Sequence, residues 1–225
     1  ILDIITVTDP KCPEPFPGVD EFALIAGHPS GAKGEFRFSF NRLHRTKTPN
    51  NTCIPRFVMG FPDPNYELQF PDYFDGYGIA SKTITGPGVA PQIWRYDFRG
   101  PRCRWGSTCP DRKTVKVAQP NGSRMEYVFG VMYGVNDGKL LETRMVSSDG
   151  AVAKSEALTY VTDGEAAAMP FPDYYGPSYY GPDDPLALRI RPIKQAVITQ
   201  DSETFTRTVN AFDALARPTQ VTLAS

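Results

Sequence analysis

The sequence predicts an all-β fold built as a meander of long antiparallel hairpins. Three observations lead there. Apolar residues recur on every second position in several segments, the period of a half-buried strand. Gly-bearing turn sequences such as "PSGAKG", "PNGSR" and "SSDGA" sit between those segments. The 225 residues include 22 prolines and 19 glycines, which interrupt helices and suit many short segments joined by turns.

At the start of the chain, "ILDIITVTDP" reads as a strand running into an Asp-Pro turn, and its opening at Ile1 suggests a piece cut from a longer protein. Phe22, Leu24 and Ala26 lead through "GHPSGAKG" to Phe36, Phe38 and Phe40, which makes a first hairpin. Val115 and Val117 on one side of "AQPNGSR", with Met125, Tyr127 and Phe129 on the other, make a second. Leu141, Thr143 and Met145 enter "SSDGA", and Val152, Lys154, Glu156, Leu158 and Tyr160 leave it, making a third. A tight turn cannot join parallel strands, so each pair is antiparallel. From Ile193 to Arg217 the chain lacks Pro and Gly, and Phe205, Val209 and Phe212 match the spacing of a helix face. The Thr-rich run "TFTRTV" argues for strand instead, because β-branched side chains lose freedom in a helix and fit a pleated surface.

The length allows one large domain or two small ones, either able to bury a core. Lys and Arg number 24 against 25 Asp and Glu, so a formal charge of −1 gives no pull toward nucleic acid or an anionic membrane. No apolar run approaches the length of a membrane-spanning helix. The four cysteines Cys12, Cys53, Cys103 and Cys109 form no CxxC pair, and His28 and His44 do not complete a zinc set beside them. Neither a metal nor a cofactor is expected. Cys103 and Cys109 flank "RWGST", a spacing that would let an oxidising compartment close a small loop; free buried thiols are the alternative.

Two hairpins say the same thing twice. "PSGAKGEFRF" from Pro29 and "PNGSRMEYVF" from Pro120 both fit P-[SN]-G-x-x-x-E-[FY]-x-F without a gap. "FPDY" follows at Phe70 and again at Phe171, and "IT" at Ile84 and Ile198, in the same order. The spacing drifts as insertions in surface loops would make it drift. Two degenerate repeat units are therefore expected, residues 1–110 and 111–225, in one continuous β-structure.

Near the end of the first unit stands Tyr96-Asp97-x-x-Gly100, and near the end of the second Phe212-Asp213-x-x-Ala216-Arg217. These resemble the Tyr-Asp-x-x-Gly-Arg signature of the Rhs, or YD-repeat, proteins. "TDP" at Thr8, "QPNGSRMEY" at Gln119, "NDGKLLETR" at Asn136 and "ITQDSETFTRTVNAFDALARP" at Ile198 are similar to the strand-turn-strand grammar of that family. The likeness is densest from Val115 to Thr222. Pro101 stands where the signature has Arg, Phe212 where it has Tyr, and Ala216 where it has Gly, and "YGPSYYGPDDP" fits no such unit. The resemblance implies a segment of a hollow β-shell that encloses or presents a toxin or other cargo in a large bacterial protein, exported or at the cell surface. It also implies that enzyme activity resides in the cargo or in a shell-closing autoprotease core. Partners would be neighbouring repeats of the same polypeptide or the cargo domain.

The motif makes physical sense by itself. An Asp after an aromatic strand residue accepts backbone N–H groups two residues on, a Gly supplies the positive φ that closes the turn, and the ring packs across onto the neighbouring strand. Ala216 in place of Gly leads to the expectation of a turn that avoids the left-handed region.

Catalytic chemistry finds little support. Glu35 and Glu126 occupy equivalent repeat positions, as do Asp72 and Asp173, whereas an acid and a nucleophile with different roles need different environments. His28 and His44 neighbour neither a Gly-x-Ser-x-Gly turn nor a catalytic Cys signature, and "ITGPG" lacks the Lys-Ser/Thr end of a phosphate loop. The expected role is structural and non-enzymatic. Two rivals remain: a carbohydrate-active enzyme, which needs two inward-facing carboxylates in one cleft, and a binding module. For the latter, Tyr174, Tyr175, Tyr179 and Tyr180 lie among prolines and glycines in "MPFPDYYGPSYYGPDDP" and offer ring faces to carbohydrate or a surface protein. A stiff connector over a sheet edge is the structural alternative for that loop.

Overall fold

A computed structural model describes residues 21–44, 46, 53–58, 61–68, 73–98, 110–175 and 188–225. The chain divides into two compact units, Ile1–Lys139 and Leu140–Ser225. Both are built of antiparallel strands, as the alternating pattern predicts. The Ile1 strand reading and the Cys103–Cys109 loop lie outside the described residues.

The first unit contains β1 (Glu21–Gly27), β2 (Lys33–His44), β3 (Cys53–Val58), β4 (Phe61–Leu68), β5 (Tyr73–Gly86), β6 (Val89–Asp97), β7 (Arg112–Ala118) and β8 (Arg124–Gly130). The spatial order is β1-β2-β5-β6-β7-β8, with β3 and β4 paired as a separate hairpin. In the first predicted hairpin Phe22 lies opposite Phe38 and Leu24 opposite Phe36; in the second, Val115 lies opposite Tyr127 and Val117 opposite Met125. Phe22 stacks on Phe38 at 4.7 Å and meets Tyr77 edge-on at 5.3 Å, so alternation has gathered the aromatics on one face.

The second unit contains β9 (Leu140–Val146), β10 (Val152–Tyr160), α1 (Asp163–Ala166), β11 (Tyr174–Tyr175), β12 (Leu188–Arg189), β13 (Ile193–Gln200), β14 (Glu203–Phe212) and β15 (Pro218–Ala224). Its sheet runs β9-β10-β13-β14-β15, and β11 pairs with β12. The segment from Ile193 to Phe212 is two strands, so the β-branched run outweighs the helix-like spacing. Two register shifts flank Ala211: Asn210 is the extra residue in β14 before it, and Thr219 is the extra residue in β15 after it. The bulge at Asn210 turns Phe212 to the same side as Val209, which strict alternation would forbid. Both are buried there with Val161, Ala166 and Phe171, beneath a strap that runs from Val161 to Asp173 and carries α1.

Candidate functional site

Four hairpin ends share one five-residue construction. In each, the first residue's N–H donates to the fifth residue's carbonyl, and the fourth residue's N–H donates to the first residue's carbonyl. The pairs are His28 to Ala32 at 2.8 Å with Gly31 to His28 at 2.9 Å, and Gln119 to Ser123 at 2.9 Å with Gly122 to Gln119 at 3.1 Å. They recur as Ser147 to Ala151 at 2.9 Å with Gly150 to Ser147 at 3.0 Å, and Asp213 to Arg217 at 2.9 Å with Ala216 to Asp213 at 3.0 Å. The fourth residue has φ of +84° in Gly31, +83° in Gly122, +93° in Gly150 and +59° in Ala216. This is a type I turn followed by a left-handed residue, a three-residue hairpin loop.

Ala216 therefore corrects the sequence-based expectation: alanine occupies the left-handed region instead of avoiding it. The reason lies in Asp213. Its Oδ1 accepts from the N–H of Leu215 and of Arg217, both at 2.9 Å, and its Oδ2 accepts from Arg217 Nε at 2.7 Å. The backbone N–H of Arg217, then its guanidinium and the N–H of Leu215, hold the Asp213 carboxyl below the usual carboxylate range. Three bonds converging on one side chain impose the conformation that glycine adopts freely elsewhere. Ala216→Gly will stabilise the unit by about 0.5 kcal/mol, since the relieved strain of about 1 kcal/mol is partly offset by glycine's entropy. In an Asp213→Ala background the same change will gain more, and a urea-melt double-mutant cycle reads the difference.

Phe212, preceding the turn, packs its ring edge-on against Phe171 at 5.8 Å. Phe171 belongs to the strap, so the ring's partner is not the adjacent strand that the sequence suggested. In the first copy, Tyr96, the next-to-last residue of β6, lies opposite Val117 and stacks on Phe98 at 6.5 Å. Asp97 faces Lys116, and it partly offsets the burial that lowers the pKa of Lys113. Gly100 lies outside the described residues.

The strap carries a feature that sequence reading passed over. Thr162-Asp-Gly-Glu165 is a capping box: Glu165 N–H donates to Thr162 Oγ1 at 3.3 Å and Thr162 N–H donates to Glu165 Oε2 at 2.8 Å. Lys194 Nζ donates to Glu165 Oε1 at 2.6 Å. Asp163 is bonded by Arg189 at 2.6 Å and by Arg191. Lys194 first, then Thr162, pull the Glu165 carboxyl from 4.5 to about 2. A depressed carboxylate stabilises the fold fully above its unfolded pKa and loses that effect as pH falls through the folded one. Glu165→Gln keeps the cap's acceptor and removes the charge. It will melt earlier than the parent at pH 7, and the gap will close between pH 4.5 and about 2.

Other residues singled out from the sequence are dispersed. Tyr174 lies opposite Arg189, whose guanidinium sits 5.0 Å from the ring centre, so one face of this tyrosine is already occupied. Tyr175 is in the same short strand, while Tyr179 and Tyr180 lie outside the described residues. Glu35 accepts from Arg37 Nε at 2.8 Å, and buried Glu126 accepts from Arg124 Nε at 2.8 Å. Asp173 follows Phe171 with one carboxylate oxygen buried and no hydrogen-bond partner; Asp72 lies outside the described residues. Ser30 Oγ lies 2.8 Å from His28 Nδ1, the distance of a nucleophile and its base. Both are exposed on a hairpin tip, and Ser30 N–H also donates to that nitrogen at 3.2 Å, so the contact closes a turn. An apolar groove of about 520 Å³ crosses the second unit's sheet, lined by Ala196, Ile198, Phe205 and Leu223 with Glu156 and Arg207. Among the described residues no helix is long and apolar enough to cross a membrane. No protein-family model, curated protein or solved structure matches this chain.

Proposed function

We propose that the chain is a non-enzymatic structural segment of an exported Rhs-like protein, two degenerate repeats whose sheets enclose or present a toxin or other cargo. The observation that carries this reading is the recurrence of one turn at four hairpin ends, including the Asp213–Arg217 motif. A turn reused with different side chains is a building device, since the bonds common to all four are backbone bonds. Three of the residues that a catalytic reading would need have structural partners that support this reading: Glu35 and Glu126 are held by arginines, and His28 closes a turn. Neighbouring repeats and the cargo are the partners, and the location is secreted or cell-surface.

The test uses the protein encoded by the complete reading frame. Limited proteolysis should leave a domain beyond the repeats resistant while the shell is intact and expose it when Phe212→Ala loosens the wall. A frame with no further Tyr-Asp-x-x-Gly units, or a hydrolase activity lost in Glu126→Gln at unchanged stability, would overturn the reading.

A further inference from the structure

The Gln119–Ser123 turn carries the one Asn-Gly step in the sequence, Asn121-Gly122, and both residues are exposed at the hairpin tip. Such a step can react with itself. The backbone nitrogen of the following residue closes a succinimide ring on the asparagine Cγ, and a glycine puts no side chain in its way. Every other asparagine here is followed by Arg, Asn, Thr, Tyr, Asp or Ala, whose side chains hinder that approach.

Both reacting groups are engaged while the turn is closed. Gly122 N–H donates to Gln119 O at 3.1 Å, a bond that the attacking nitrogen must give up. Asn121 Oδ1 accepts from Ser123 N–H at 3.1 Å and from Ser123 Oγ at 2.7 Å, which fixes the side-chain torsions that ring closure must change. These bonds lie at an exposed tip, where water competes for each of them and local opening is easiest.

We propose that Asn121 is a self-modifying site, shut while the turn is hydrogen-bonded and converted to aspartate and isoaspartate when the tip opens. Gly122 N loses its proton to hydroxide and bonds to Cγ; the Cγ–Nδ2 bond breaks, and ammonia leaves with a proton from solvent. Water then opens the ring. Addition at Cγ breaks the new bond and leaves aspartate in an unaltered chain. Addition at the backbone carbonyl breaks the original peptide bond and leaves isoaspartate, with the chain rerouted through the side chain. Solvent water is the co-reactant, and nothing is oxidised or reduced.

The Ser147–Ala151 turn already displays the first product's conformation. Asp149 holds the place of Asn121 there, and its Oδ1 accepts from Ala151 N–H at 3.0 Å and from Ser147 Oγ at 2.6 Å. An aspartate therefore closes the same turn. The Asp149 carboxyl, held below the usual range by the Ser147 hydroxyl and then the Ala151 N–H, stays ionised at neutral pH and resists attack by Gly150 N. Isoaspartate has no such counterpart: it adds a main-chain carbon inside the span closed by the Gln119–Ser123 and Gly122–Gln119 bonds. One product keeps the tip and the other undoes it.

The 225-residue chain, incubated at mildly alkaline pH and followed by peptide mapping with mass spectrometry, provides the test. Asn121 should be the first asparagine converted, with both products present. Ser123→Ala removes the hydroxyl bond and should speed conversion about fivefold at an unchanged melting temperature, while Ser123→Thr keeps the parent rate. Should Ser123→Ala lower the melting temperature, the parent is compared folded and in denaturing urea, where conversion should be faster still. Asn121→Asp should melt with the parent. An unconverted Asn121, another asparagine reacting first, a Ser123→Ala rate equal to or below the parent's, conversion no faster in urea, or a destabilised Asn121→Asp would each overturn the proposal.

Discussion

Phe212→Ala will destabilise the second unit by about 4 kcal/mol, read as a shift of the urea midpoint at constant m-value. Phe212 is 7% exposed and meets Phe171, Val209 and the helix residue Ala166 in one cluster. Truncation opens a cavity that neither partner can fill: Phe171 is held by the strap, and Val209 is fixed on its strand by pairing with Val221. The strap then loses its main apolar anchor and keeps the ion pairs from Asp163 and Glu165, whose half-exposed carboxylates make each pair a modest hold. Phe205→Ala on the same strand is the control. With 49% of Phe205 exposed, its loss should cost about 1 kcal/mol or less. Equal costs for the two substitutions would show that the cluster is not the unit's core.

Gly130→Ala should be the most damaging small change in the first unit, at about 3 kcal/mol. A Cβ at Gly130 would collide with the backbone oxygen and side chain of Asn136. Asn136 cannot withdraw. Its Oδ1 accepts from Met132 N–H at 2.9 Å, its own N–H donates to Met132 O at 3.1 Å, and Gly130 N–H donates to Lys139 O at 2.9 Å. Thr46 adds to the lock, with its N–H on Val131 O at 2.6 Å. Gly134→Ala provides the contrast, since nothing lies within 4 Å of its added methyl group and only its φ of +66° is strained. That variant should lose about 1 kcal/mol in the same measurement.

The hairpins were legible because their information is local. "PNG" and "SDG" state the left-handed position, and Val115, Val117, Met125 and Tyr127 state the face. The site was legible in composition but not in conformation. Asp213 and Arg217 could be picked out, yet nothing in "FDALAR" says that Ala216 will be forced left-handed, because the force comes from three hydrogen bonds that exist only after the turn closes. The helix had a signal, Thr162 with Glu165 three residues on, which was missed because one turn leaves no periodicity to support it. The bulge that aligns Val209 with Phe212 had none, since alternation places them on opposite faces.

The meander β13–β14–β15 has a bearing on how the second unit assembles. Gln200 pairs with Glu203 across Asp201 and Ser202, both at positive φ, and β14 returns through the Asp213–Arg217 loop. Its contacts join near neighbours in the chain, so little loop entropy opposes their formation. Strap docking, in contrast, must bring Val161 and Phe171 to Phe212 across a long intervening stretch. Topology therefore orders the pathway: the three-strand ribbon zips early, and the cluster around Phe212 condenses on it as a late event.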